Sequence, residues 1–140
     1  MRLLELERRL WSVAVVADGE NDTSSVLGFL QDQPANYRSS AKGFRALFKR
    51  FSEHGRQGLT VELFHEASKP EAIWEFVKGD LRVYCFMDGD ERLVILSHGI
   101  IKKRQNAHHQ DVERAVALRN KYLEAKRANT VERVKYEQAD

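Results

Sequence analysis

The chain has 140 residues, 42% of them hydrophobic, and a formal net charge of +2, so it forms one domain with a real core and its charge alone does not argue for a nucleic-acid partner. Its single cysteine, Cys85, excludes an internal disulfide framework and fits a reducing, cytoplasmic setting. No apolar run reaches the ~18 residues of a membrane helix, and Glu5, Glu7, Arg8 and Arg9 break up the leucines of Met1 to Leu10, so neither a membrane partner nor a signal peptide is expected.

No repeat or linker divides the sequence, and residues 1–140 are expected to form one unit. From Leu10 to Ala17 the alternation is that of a mostly apolar strand, hence a central one. Asp18 to Thr23 is a polar turn. Thr23 to Gln33 reads as a short helix with Val26, Leu27 and Leu30 inward, stopped by Pro34. From Asn36 to His54, Tyr37, Ala41, Phe44, Phe48 and Phe51 form one helical stripe, and Arg38, Lys42, Arg45 and Lys49 form another on the opposite side. Gly43 costs that helix roughly 1 kcal/mol against alanine, which points to a close contact; Gly55 is its expected C-cap.

The second half changes period. Leu59 to Phe64 reads as an edge strand, and Ile73 to Lys78, Leu81 to Met87 and Leu93 to His98 as three more strands. Tight turns at Lys78-Gly79-Asp80 and Asp88-Gly89-Asp90 join the last three into an antiparallel meander. A basic and polar loop, Gly99 to Asn106, leads to a final helix from His109 to Ala128, and the tail 129–140 is expected to fray. The fold class is therefore α+β: an antiparallel meander with the N-terminal strand and helices packed on it, plus a C-terminal helix.

Several residues stand out chemically. Arg82 lies in an apolar strand, where a charge is disfavoured; it either faces an anion, faces solvent, or pairs with a glutamate such as Glu75. Lys102, Lys103 and Arg104 form a cationic cluster that suits phosphates or is an ordinary solvated loop. His98, before Gly99, is either an acid–base group or shapes the turn through backbone bonds. Whether it shares a face with Arg82 depends on the hairpin: a three-residue loop puts them together, while two or four residues part them. Tyr84 suits either base stacking or core packing, and Cys85 reads as a small buried hydrophobe. His108 and His109 cannot point the same way; either is an acid–base group or an unremarkable neutral histidine, and both lack a spaced carboxylate or thiol, so neither a metal nor another cofactor is expected.

The stretch Ile73-Trp74-Glu75-Phe76-Val77-Lys78-Gly79-Asp80-Leu81-Arg82-Val83-Tyr84-Cys85-Phe86 resembles the central hairpin of the RelE/ParE toxin superfamily. Leu96-Ser97-His98-Gly99-Ile100-Ile101-Lys102-Lys103-Arg104-Gln105 resembles a motif of its phage-derived HigB-like branch. Two departures are Val77, where many members carry arginine and where Lys78 is the nearest cation, and Ala107-His108 in place of Thr-Pro. The resemblance implies a RelE-like fold and a ribosome-dependent mRNA endonuclease restrained by an antitoxin from a neighbouring gene. It also admits a non-catalytic inhibitor of DNA gyrase or another protein. For RNA cleavage it implies Arg82, His98 and Lys102 as catalytic residues and Lys78, Lys103 and Arg104 as RNA contacts. Arginine suits the phosphate because its planar fork donates two bonds at once.

Overall fold

The computed structural model describes residues 1–19, 21–102 and 108–137. Strands β1 (Arg2–Arg8) and β2 (Ser12–Val16) precede helices α1 (Ser25–Gln31) and α2 (Ala35–His54). Strands β3 (Phe64–Ser68), β4 (Ile73–Lys78), β5 (Leu81–Asp88) and β6 (Leu93–Ile101) follow, then helix α3 (His109–Arg127) and strand β7 (Glu132–Lys135). The seven strands form one sheet in the order β3-β4-β5-β6-β2-β1-β7.

The chain is α+β, and β3 to β6 form the antiparallel meander. The sheet as a whole is mixed, because β2 lies parallel to β6 and β7 parallel to β1. Pairing with β6 gives the apolar length of β2 its partner, with Val13 opposite Val94 and Val15 opposite Leu96.

Three sequence-based boundaries need correction. The strand expected at Leu59 to Phe64 begins only at Phe64: Leu63 and Phe64 donate backbone bonds to the Thr60 carbonyl at 3.0 Å, a turn that leaves Val61 exposed. The N-terminal segment forms β1, with Leu3 and Leu4 fully buried. The tail is not frayed over 132–135, where β7 pairs with β1 and Arg133 reaches the buried Glu5 at 3.4 Å. Its last residues, 138–140, lie outside the described range.

Helices cover both faces of the sheet. α1 and α2 lie on one, over a core that includes Phe44, Phe48, Phe51, Phe76, Val83 and Cys85. The Ser24 hydroxyl caps α1 by accepting from the Val26 and Leu27 amides at 3.1 and 3.4 Å. Within α2, Gly43 leaves room for the stem of Lys78, the close contact its cost implied. Gly99 in β6 is needed for the same kind of reason: a Cβ there would sit 2.3 Å from the Phe29 ring. On the other face α3 lays Val112, Ala115 and Tyr122 over Leu3, Ala14, Phe86 and Ile95, while Leu123 is exposed.

Candidate active site

The pleat brings polar groups together on the α3 face. In register, His65 of β3 stands opposite Glu75 of β4, Glu75 opposite Tyr84 of β5, and Tyr84 opposite His98 of β6. One row therefore crosses four strands. Arg82 lies two residues from Tyr84 on the same face. The start of α3 closes the row from above with His108 and Asp111.

His98 joins this row through an irregularity. Asp88 pairs with Leu93, so the β5–β6 hairpin has a four-residue loop, the length that separates Arg82 and His98. A bulge at Ser97 shifts the register between the Tyr84–His98 and Cys85–Leu96 pairs. That extra residue reverses the parity and puts His98 and Arg82 on the same face.

Glu75 is the centre of the cluster. Its side chain is only 1% exposed, yet it lies 3.2 Å from His65 Nε2 and 3.4 Å from Arg82 Nε. His108 Nε2 stands 3.6 Å from Glu75 Oε2, beyond hydrogen-bond range, and Oε2 has no hydrogen-bond partner. A buried carboxylate with an open lone pair is costly, and native proteins keep few of them.

Hydrogen-bond partners assign the rings. His108 Nε2 lies 2.9 Å from the Ala67 carbonyl and so donates; its Nδ1 accepts from the Tyr84 hydroxyl at 2.9 Å. His98 Nε2 donates to Asp111 Oδ1 at 2.9 Å, and its Nδ1 accepts from the Ser97 hydroxyl at 2.8 Å. Both rings are satisfied as neutral tautomers. His65 differs, since Nδ1 faces the Val61 carbonyl at 2.7 Å and Nε2 faces Glu75. Two acceptors are satisfied when the ring carries both protons, or when Glu75 holds the second one.

Burial tunes the neighbours. It pushes the His98 ring below the usual histidine range; Arg114 adds to this, while Asp111 opposes it. It raises the Tyr84 phenol, helped by the charges of Glu75 and Asp111, so Tyr84 stays a neutral donor. It raises the Cys85 thiol as well, and Cys85 is fully buried on the far side of β5, as its alternation implied. Tyr84 itself is core, stacked on the His98 ring at 5.1 Å, not open for base stacking.

The six residues singled out for RNA chemistry have different placements. Arg82 joins the cluster, 18% exposed, with Nη1 donating to the Gly79 carbonyl at 2.7 Å and the Leu81 carbonyl at 3.1 Å. His98 joins it too, but at 2% exposure its ring is closed off from the surface. Lys102 is held at the same end of the sheet, its amide donating to the Asp80 carbonyl at 2.8 Å. Lys78 stands on the opposite face, opposite Leu81 and packed on Gly43, so it does not replace the cation that Val77 lacks. Lys103 and Arg104 lie outside the described residues. Among those residues, no group of three or more His, Cys, Asp or Glu is placed to hold a metal ion.

Two histidines complete the cluster. His108 and His65 are 30% and 37% exposed, the accessible groups beside Glu75. His109 points away, pairing with Glu113 at 2.9 Å in solvent. Glu75 had a signal in the sequence, an acidic residue inside the apolar run Ile73 to Val77. His65 had none, because its strand lies beyond the segment whose composition reads as one.

No protein-family model matches the chain, and no curated protein matches it in sequence. No helix among the described residues is long and apolar enough to cross a membrane.

Proposed function

We propose that this chain is a metal-independent endoribonuclease, the toxin of a toxin–antitoxin pair that cuts mRNA on the ribosome. The observation that carries the chemistry is the open, buried oxygen of Glu75 between two accessible histidines and an arginine. The ribosome, the antitoxin, the cytoplasmic setting and the RelE-like fold are supported by the resemblance of residues 73–86 and 96–105 to the HigB-like motifs.

The reaction needs a base for the 2′-hydroxyl, a cation for the phosphate and an acid for the 5′-oxygen. His108 is the base: its lone pair on Nδ1, capped by Tyr84 in the free protein, takes the 2′ proton. The 2′-oxygen then attacks phosphorus and the bond to the 5′-oxygen breaks. His65 delivers a proton to that oxygen, leaving a 2′,3′-cyclic phosphate and a 5′-hydroxyl. Glu75 lies beside both rings and stabilises whichever carries the extra proton. Arg82 stabilises the charge growing on the phosphate, and Lys102 at the same end of the sheet adds to the attraction for RNA.

Primer extension on a message in a translating extract tests this. Wild type should give new 5′ ends only with ribosomes present. His108→Ala, Glu75→Gln and Arg82→Ala should each lower cleavage about 100-fold or more while remaining folded. Cleavage at the wild-type rate by a folded His108→Ala protein would move the active site elsewhere. No cleavage, together with inhibition of purified gyrase, would make the chain a non-catalytic binder.

A further inference from the structure

The opposite face of the sheet carries a second feature, independent of the nuclease reading. Between α1, α2 and the β1–β7 edge runs a groove of about 810 Å³. Its floor is apolar, formed by Leu6, Leu27, Leu30, Phe48 and Tyr136, and all but Phe48 are only partly covered. One lip is cationic: Arg38, Lys42 and Arg45 are exposed along a single face of α2. None of the three forms an ion pair with a described residue, and the far lip offers Glu7 and Gln31.

We propose that this groove docks an acidic amphipathic helix of a protein partner. The argument is charge complementarity over an apolar floor. Arg38 and Arg45 are seven residues apart, about 10 Å along the axis. A helix with carboxylates at the same spacing presents them to all three cations while its leucines fill the floor. A nucleic acid fits less well, since a phosphate strand would leave Leu27, Leu30 and Tyr136 unfilled. The Glu75 cluster lies across the sheet, so a partner seated here does not cover it, and restraint from this groove would not work by blocking the site.

The probe is a leucine–glutamate peptide of about four turns, with two controls: the same peptide with lysine for glutamate, and a short uridine RNA. Binding is read by fluorescence anisotropy and by amide shifts on the full chain. The acidic peptide should bind, move the amides of residues 27–31 and 38–48, and weaken with salt. R38E/K42E/R45E should weaken it about 10-fold or more. Leu30→Ser, which keeps every charge, should weaken it too. Absence of binding, equal binding of the lysine peptide, or RNA moving the same amides at lower concentration would overturn the proposal. Since mRNA cleavage is a separate readout, failure here leaves the nuclease reading standing, and the reverse holds.

Discussion

The two faces of one sheet have been put to different uses. On the α2 side, Leu81, Val83, Cys85 and Phe76 meet a cluster of aromatic rings, with Phe51 5.1 Å from Phe64 and 5.7 Å from Phe76. On the α3 side the same strands bury Glu75, Tyr84 and His98, and half-bury Arg82. Both faces are tightly covered, so burial alone does not separate them. What differs is cost: the aromatic face lowers the free energy of folding, while the polar row asks for desolvation that its hydrogen bonds only partly return. That cost, absent from the aromatic face, is what makes the row the candidate functional site.

The largest effect should come from the aromatic face. Phe51→Ala removes a fully buried ring that contacts Trp11, Phe64 and Phe76, and should cost about 4 kcal/mol in chemical denaturation. The fraction that stays folded should cleave RNA as wild type does. A loss of specific activity in that fraction would mean the two faces are coupled through the strands.

Arg133→Ala comes next, at roughly 3 kcal/mol. Among the described residues it leaves Glu5, almost wholly buried, with only the distant Arg8 at 3.9 Å. It also removes the bond to the Ser12 hydroxyl at 3.2 Å. The measurement is the urea midpoint, and an unchanged midpoint would show that β7 adds nothing to the sheet. On the polar row, His108→Ala should shift the weight to activity: cleavage falls about 100-fold, near 2.7 kcal/mol at the transition state, while stability falls by the smaller amount, about 1–2 kcal/mol, expected for leaving the Tyr84 hydroxyl without its partner.

The comparison also explains what was legible in the sequence. The phenylalanines of α2 repeat at helical spacing with cations opposite, and only one orientation buries them, so the aromatic face was readable. β7 was not: Glu-Arg-Val-Lys is too short and too charged to show alternation, and its place is set by β1, about 130 residues away in sequence. The polar row was half readable. Arg82 stood out as a charge in an apolar strand, but its partnership with His98 hung on a bulge at Ser97, and one inserted residue has no compositional mark. His65 depended on a strand that begins five residues later than the pattern suggests, because Thr60 turns the chain first.

The smallest effect is the dependence of stability on pH, and it isolates the buried end of the row. His98 faces Asp111 and Arg114 of α3 and is stacked on Tyr84 of β5; burial holds its ring below the usual histidine range. At neutral pH the folded and unfolded states both carry it uncharged. As pH falls below about 6.5, the unfolded chain takes up the proton first. Stability therefore decreases on acidification, with a slope for this one proton of at most about 1.4 kcal/mol per pH unit. The decrease levels off once the pH passes the folded-state value. Asp88 works in a lower window: its carboxyl is held below the usual range by the bonds from Lys126 and Tyr122, so its contribution is present above that range and is lost only in stronger acid. His98→Gln removes the first contribution and leaves the second. The unfolding free energy of wild type minus that of the variant should be smaller at about pH 5.5 than at about pH 7.5, whatever its value at neutral pH. A gap that is the same at both pH values would mean that the fold does not shift the His98 ring. A change of opposite sign, with wild type gaining stability in acid, would mean that the folded ring binds its proton more tightly and that Asp111, not burial, governs that end of the row.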